Sequence, residues 1–326
     1  MRALRCHTLG DLGSLRVDEV ESPPMAAGQV RIGVKAAGVN FPDILMCEGK
    51  YQVKPPMPFI PGLEVAGVVM EVGDGVAHVK PGDRVLAFAR LAGGFASEIV
   101  LPGGIVTPIP DKMDFETAAA FPVAYGTAQF ALDYRGHLKA GETLVVLGAT
   151  GGVGLAAIEC GKLLGARVIA AAGGAEKLAL AKQYGADEVV DYRAENLRDR
   201  LRDLTGGNGV DVVFDPVGGP YFDACVRAIG WEGRMLVVGF ASGEVPKPAA
   251  NLILVKNFSV IGVVFGEHSH RYPDQSRAML TRLLAAWEEG KLRPRIHKTF
   301  PLAQASEAFA EITARRVQGK MVLTLE

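Results

Sequence analysis

Cysteine is scarce in this chain, and the four that occur, Cys6, Cys47, Cys160 and Cys225, stand far apart with no paired spacing. That excludes a disulfide framework and a Cys-rich metal site, and it points to reduced, mostly buried thiols. An excess of charge is also missing. Thirty-five Lys and Arg face 36 Asp and Glu, a formal net of −1, so no long-range field gathers nucleic acid or an anionic membrane surface. No apolar run has the length of a bilayer crossing. The N-terminus, Met1-Arg-Ala-Leu-Arg-Cys-His7, lacks the apolar core of a secretory signal. There is no internal repeat and no low-complexity segment. These absences leave a soluble, cytoplasmic globular protein with no nucleic-acid and no membrane partner. Its 326 residues, 49% of them hydrophobic, suffice for two domains with sizeable cores.

What is present centres on Thr143-Leu-Val-Val-Leu-Gly-Ala-Thr-Gly-Gly-Val-Gly-Leu-Ala-Ala-Ile158. The run predicts a buried strand, a glycine turn and a helix start in immediate succession. Glycines at 148, 151 and 154 allow a tight turn, close approach of the backbone to a pyrophosphate, and packing of the helix on the sheet. A second strand, Arg167-Val-Ile-Ala-Ala171, closes the βαβ unit. After it, where an NAD site usually carries Asp or Glu for the ribose 2′-hydroxyl, the chain reads Ala172-Gly-Gly-Ala-Glu-Lys177. Gly173 and Gly174 leave room for a 2′-phosphate, and Lys177 offers it a point charge. This favours NADPH; the alternative is a flexible turn with a solvated lysine, and Glu176 counts on that side.

Residues 1 to about 120 lack βα alternation and carry short apolar runs split by Gly and Pro, at Gln29–Lys35, Ala66–Val72, Asp83–Phe88 and Ala96–Leu101. They predict an antiparallel, partly barrelled β domain. From about Phe121 to Phe265 strands at 143–148, 167–171, 188–190, 210–214, 234–239 and 258–264 alternate with amphipathic stretches such as Glu176–Tyr184 and Glu195–Leu204. The pattern fits an α/β, doubly wound six-stranded sheet. The last sixty or so residues return to helix, at Arg277–Glu289, and end on strand-like Lys320–Leu325.

Over its whole length the chain resembles the medium-chain dehydrogenase/reductase superfamily. The motifs that carry the resemblance, in the family's order, are Ala37-Gly-Val-Asn-Phe-Pro-Asp43, Pro61-Gly-Leu-Glu-Val-Ala-Gly67, Gly75-Val-Ala-His-Val-Lys-Pro-Gly-Asp-Arg-Val85 and the glycines 148–154. The resemblance implies a GroES-like β-barrel-type catalytic domain over 1–122, a Rossmann NADPH-binding domain over 123–265, and a C-terminal return to the catalytic domain over 266–326. Zinc members carry Cys and His where this chain has Asn40 and Leu63, and a four-cysteine lobe where Arg90 to Thr107 holds none. Two of the three ligands a catalytic zinc needs are thus replaced, and no metal is expected; Glu64 is expected to be a structural hydrogen-bond partner. What remains is similar to the zinc-free, zeta-crystallin-like NADPH:quinone oxidoreductases, through Asn40-Phe-Pro-Asp43 and Gly49-Lys-Tyr51.

By that resemblance Phe41, Asp43 and Thr127 lie near the nicotinamide half of the cofactor, and Gly151, Gly152 and Val153 at the pyrophosphate. Gly173, Gly174, Lys177 and Tyr192 surround the 2′-phosphate. Val217, Gly239, Phe240, Ala241 and Phe265 line the cleft, and Arg315 closes it. Asn40 and Tyr51 are the candidate catalytic donors to the acceptor oxygen; Asn40 could equally fix its loop through the backbone, and Tyr51 could be a pocket wall. The implied reaction is hydride transfer to a quinone or other conjugated carbonyl such as an enone. The alternatives are an enoyl-thioester reductase, or a cofactor-binding protein with a structural or RNA-binding role. His268-Ser-His270, in an expected polar loop from Gly266 to Pro273, lacks a third ligand and is read as solvated. The apolar strand Phe258–Val264 is expected at the sheet edge, where it would pair with a second copy in a homodimer.

Overall fold

The computed structural model describes residues 1–89 and 93–325; Arg90, at the start of the cysteine-free segment, lies outside them. The chain forms two compact units, Met1–Gly126 with Gly266–Glu326, and Thr127–Phe265. The expected boundary after Pro122 marks the start of a helix, Pro122–Gln129, and the division falls inside that helix.

The first unit is built on Gln29–Val39, eleven residues long. In spatial order its sheet runs Ile296–Pro301, Lys320–Thr324, Gln29–Val39, Glu64–Val72, Arg84–Phe88, Val106–Pro108, and Glu98–Pro102 also pairs with the long strand. Ile296–Pro301 and Lys320–Thr324 run parallel; the other pairings are antiparallel. Val30, Ile32 and Val34 alternate inward, as one buried face requires, and from Ala36 to Val39 every residue is buried. Ala36, Ala37 and Gly38 have weak strand propensity, which is why the sequence pattern stopped at Lys35. Gly38 is dictated by crowding, since a Cβ there would overlap Glu64 Oε1 and the Ala119 carbonyl.

The second unit holds six strands: β1 (Thr143–Leu147), β2 (Arg167–Ala172), β3 (Glu188–Asp191), β4 (Val210–Asp215), β5 (Ile229–Val237) and β6 (Ser259–Gly262). All pairings are parallel in the spatial order 3-2-1-4-5-6, the doubly wound arrangement whose order reverses between β1 and β4. Val145, Leu147, Ile169, Val213, Phe222 and Met235 are among the fully buried side chains between sheet and helices. β5 begins five residues before the expected 234, where a register irregularity between Val210 and Val212 lets Ile229 pair early.

The stretch expected as a polar loop differs from expectation. The segment from Gly266 is a helix, Phe265–Arg271. On it Ser269 is buried, His268 is partly covered beside the Tyr272 ring at 5.1 Å, and His270 is exposed. Residues two apart on a helix do not face each other, so the two imidazoles diverge. Among the described residues no helix is long and apolar enough to cross a membrane.

Candidate active site

In the second unit the parallel sheet brings the predicted cofactor residues to one edge. Gly151, Gly152 and Val153 follow β1, Gly173, Gly174 and Lys177 follow β2, and Tyr192 follows β3; Val217 follows β4, and Gly239, Phe240 and Ala241 follow β5. Open α/β sheets bind ligands there, beyond the carboxyl ends of the strands. The helix Gly152–Leu163 starts from Gly151, and its first-turn N–H groups have no intrahelical acceptor. A Cβ on Gly154 would overlap the Gly148 carbonyl, whereas one on Gly151 meets only that oxygen, at 3.5 Å. The helix is therefore pressed onto the turn while its mouth stays open, a cradle that fits a pyrophosphate. Asp215 Oδ1 accepts from the backbone N–H groups of Val217 (2.7 Å) and Gly218 (2.8 Å), and Ala241 N–H donates to the Pro216 carbonyl at 3.0 Å. The first two close the loop after β4 on itself, and the third ties it to the loop after β5. The Tyr192 ring lies 4.3 Å from that of Tyr221, which sets its position. Phe265 is a buried ring 6.0 Å from Phe130, a core contact. Thr127, on the helix Pro122–Gln129, is partly exposed.

In the first unit the motif Asn40-Phe-Pro-Asp43 starts the helix Phe41–Cys47. Asp43, three residues into the motif, accepts from Asn40 N–H (2.8 Å) through Oδ2 and from Gly62 N–H (3.1 Å) through Oδ1. It is wholly buried, and through these bonds it binds two loops together. Burial pushes its carboxyl up to about 7, against the pull of the Asn40 N–H and of the Lys320 ammonium. The helix ends in a pair of bonds, Gly49 N–H to Met46 O (3.0 Å) and Lys50 N–H to Leu45 O (2.8 Å), with Gly49 at φ +68°. That is the Schellman cap, which glycine alone enters without strain. It explains the Gly-x-Tyr spacing: the chain leaves the helix at Gly49 and packs the partly buried Tyr51 ring against the barrel core. Burial, with the Asp43 charge adding to it, raises the Tyr51 phenol, which keeps it protonated and able to donate. Phe41 is partly exposed at the first turn. Arg315 is exposed beyond the helix Ala305–Thr313, with φ +56°.

Around Asn40 lies a fully satisfied buried cluster. Lys320 Nζ donates to Glu64 Oε1 (2.7 Å), Asn40 Oδ1 (2.5 Å) and the Val39 carbonyl (2.9 Å), using all three of its hydrogens. Asn40 Nδ2 donates to Glu64 Oε1 (2.9 Å) and the Gly38 carbonyl (3.2 Å). Glu64 Oε2 accepts from Val123 N–H at 2.7 Å, on the first turn of Pro122–Gln129, where a carboxylate is favoured. Both amide hydrogens of Asn40 are thus committed within the protein. Its geometry supports the loop-fixing alternative over donation to an acceptor. The expected structural role of Glu64 matches these bonds. Lys320 escaped sequence reasoning; the signal was a lysine leading directly into the apolar strand Met321-Val-Leu-Thr324. Among the described residues no group of three or more His, Cys, Asp and Glu could hold a metal ion, and Leu63 is buried.

A GroES-like barrel carried on one chain with a 3-2-1-4-5-6 dinucleotide sheet defines a medium-chain dehydrogenase/reductase. Residues 26–111 match the model for the alcohol dehydrogenase GroES-like domain, and residues 152–282 that for the zinc-binding dehydrogenase. The chain is 40% identical over 324 residues to a quinone oxidoreductase-like protein 2 homolog from Nematostella vectensis, covering 99% of this chain and 88% of that protein. It is 33% identical over 328 residues to human quinone oxidoreductase, covering 100% and 98%. The crystal structure of Escherichia coli quinone oxidoreductase complexed with NADPH superposes with a TM-score of 0.93, at 29% identity and full coverage of both chains. The chain belongs to the quinone oxidoreductase family of that superfamily.

Two outcomes test the buried cluster. Lys320→Met strands a carboxylate with no cation in the barrel interior and should cost about 3–5 kcal/mol in urea unfolding, most of it recovered when Glu64→Gln is added. Asp43 titrates near its ordinary value when unfolded, 3.8, and at about 7 when folded. Between these the folded state holds a proton the unfolded state has released. Its stabilising contribution is therefore complete below about pH 4 and lost as pH rises through 7. The unfolding free energy should fall more steeply from pH 5 to 7.5 in the wild type than in Asp43→Asn.

Proposed function

We propose that this chain is a zinc-independent, NADPH-dependent oxidoreductase that reduces quinones or other conjugated carbonyls. One observation carries the zinc-independent part: the ammonium of Lys320 stands on Glu64 and Asn40, with buried Leu63 beside the same carboxylate in sequence. Neither Asn40 nor Leu63 supplies a zinc ligand of the usual kind, and a cation already compensates Glu64. NADPH is supported by the glycine cradle after β1, by the absence of a carboxylate at 173 and 174, and by the Escherichia coli relative, which is complexed with NADPH.

When bound, the cofactor supplies the hydride. Gly151, Gly152 and Val153 hold its pyrophosphate through backbone N–H groups. Asp43 and the Lys320–Glu64–Asn40 cluster position the loop that leads into the helix Phe41–Cys47. Tyr51 holds a proton at Oη and hands it, or a hydrogen bond, to the acceptor oxygen. A quinone needs little acid assistance and a simple enone more, so the weight on Tyr51 depends on the acceptor. The four cysteines are free and buried, which suits the reducing cytoplasm.

NADPH oxidation followed against para- and ortho-quinones, enones and crotonyl-CoA, with NADH in parallel and a chelator present, tests the proposal. Turnover of quinones or enones with NADPH, insensitive to the chelator, is the expected result; turnover of crotonyl-CoA alone would move the assignment to an enoyl-thioester reductase. Tyr51→Phe should lower kcat roughly tenfold or more with an enone and little with a quinone.

The subunit partner is proposed to be a second copy. β6 ends the sheet, so among the described residues no strand pairs with its outer side, and Val264 just after it, Trp231 on neighbouring β5, and Leu254 and Val255 on the helix Ala250–Lys256 before it are 64%, 68%, 79% and 64% exposed. Such an apolar edge pairs readily with itself. Sedimentation at micromolar protein should give a dimer mass, and Val260→Lys with Val264→Lys should shift it to the monomer.

A further inference from the structure

A cation that no group among the described residues pairs with stands at the edge of the second unit, and its place bears on which dinucleotide is chosen. Arg193 follows Tyr192 in the loop after β3, and β3 lies beside β2 at the end of the sheet. Its side chain crosses the loop after β2: a Cβ on Gly173 would lie 2.7 Å from Arg193 Cδ and 3.0 Å from Cγ, with Nε closer still. Gly173 is the first residue beyond β2, and it follows Gly154 by nineteen positions, the spacing at which NAD sites carry the carboxylate that accepts from the ribose 2′-hydroxyl. The side chain of Arg193 therefore runs through the space that such a carboxylate would fill.

The loop geometry is locked while the guanidinium is not. Asp191 Oδ2 accepts from Gly174 N–H (3.1 Å) and Oδ1 from Arg193 N–H (3.0 Å), so one carboxylate pins the loop after β2 to the loop after β3. With both oxygens serving backbone groups, Asp191 does not pair with the arginine. Glu195 is occupied as well, accepting from Asp191 N–H at 3.1 Å and pairing with Arg200 at 3.3 Å. The Arg193 side chain is exposed and makes no hydrogen bond or ion pair among the described residues.

We infer that Arg193 is the residue that reads the adenosine 2′-phosphate in this chain, from across the loop that Gly173 keeps bare. The inference rests on the NADPH assignment above and names what enforces it. A guanidinium presents paired donors that match two phosphate oxygens, whereas a lone hydroxyl accepts one neutral bond. Gly173 has a matching reason: any side chain there would displace the arginine, and an acidic one would neutralise it.

Calorimetric binding of NADP⁺ and NAD⁺ to the full-length wild type, Arg193→Ala, Arg193→Lys and Gly173→Asp tests this without any substrate. The wild type should prefer NADP⁺. Arg193→Ala should weaken NADP⁺ roughly tenfold to a hundredfold, as expected for loss of hydrogen bonds to a charged group, and leave NAD⁺ within about twofold of its wild-type value. It should also flatten the salt dependence of NADP⁺ binding. Arg193→Lys should recover part of the loss, and Gly173→Asp should reverse the preference. Wild-type preference for NADP⁺ that survives intact in Arg193→Ala overturns the inference and leaves the NADPH assignment standing, as does equal weakening of both dinucleotides. Equal affinities in the wild type overturn the NADPH assignment itself.

Discussion

Among the described residues Lys320 is the one basic side chain that the protein buries, and the geometry of the first unit is arranged around its three hydrogen bonds. A lone ammonium in a β-barrel interior would be prohibitive. It is tolerated because Glu64, the first residue of its strand, faces it, and because Asn40 and the Val39 carbonyl take its other two hydrogens. These bonds join residues some 280 positions apart, so the final strand completes a site that the first forty residues begin. Gly38 follows from the same cluster, because the Glu64 carboxylate occupies the volume of its missing side chain. The ion pair is thus less a source of stability than a constraint that admits one register of Lys320–Thr324 on Gln29–Val39.

The second unit obeys a different constraint. A parallel sheet has all its strands ending at one edge, so residues scattered from 151 to 241 arrive there because of chain direction alone. Hydrogen bonds then refine the edge. Asp215 closes the loop after β4 on itself, and Asp191 joins the loops after β2 and β3. In both cases a carboxylate at a strand end accepts from two backbone N–H groups and so fixes the loop beside it. A sequence read for charge alone counts these two residues against a phosphate site; their bonding makes them part of its frame.

Periodicity and glycine spacing made the nucleotide fold legible, since a strand, a tight turn and a helix leave residue-level traces at 143–158. The homologous motifs around residues 37–43 and 61–67 made the barrel legible as well. Less legible was what depends on partners distant in sequence. Asn40 reads either as a donor or as a loop-fixing side chain, and the commitment of both its amide hydrogens to Gly38 and Glu64 is visible only in the fold. Asp43 reads as a cofactor contact, and its role as a buried clasp between loops is not visible in the sequence. His268 and His270 read as a polar loop, because a seven-residue helix with a buried Ser269 leaves too short a pattern to detect.

By itself the sequence determined the alternation of strands and helices over 143–264, the dinucleotide turn, and residues at 40 and 63 that are not zinc ligands of the usual kind, all consequences of local backbone preference or residue chemistry. The tertiary structure alone decided that Lys320 is the counter-ion of Glu64 and that Arg193 lies across Gly173. Both are encounters between residues on different strands and loops. Their partners are chosen by register and by sheet order, which no local stretch of chain encodes.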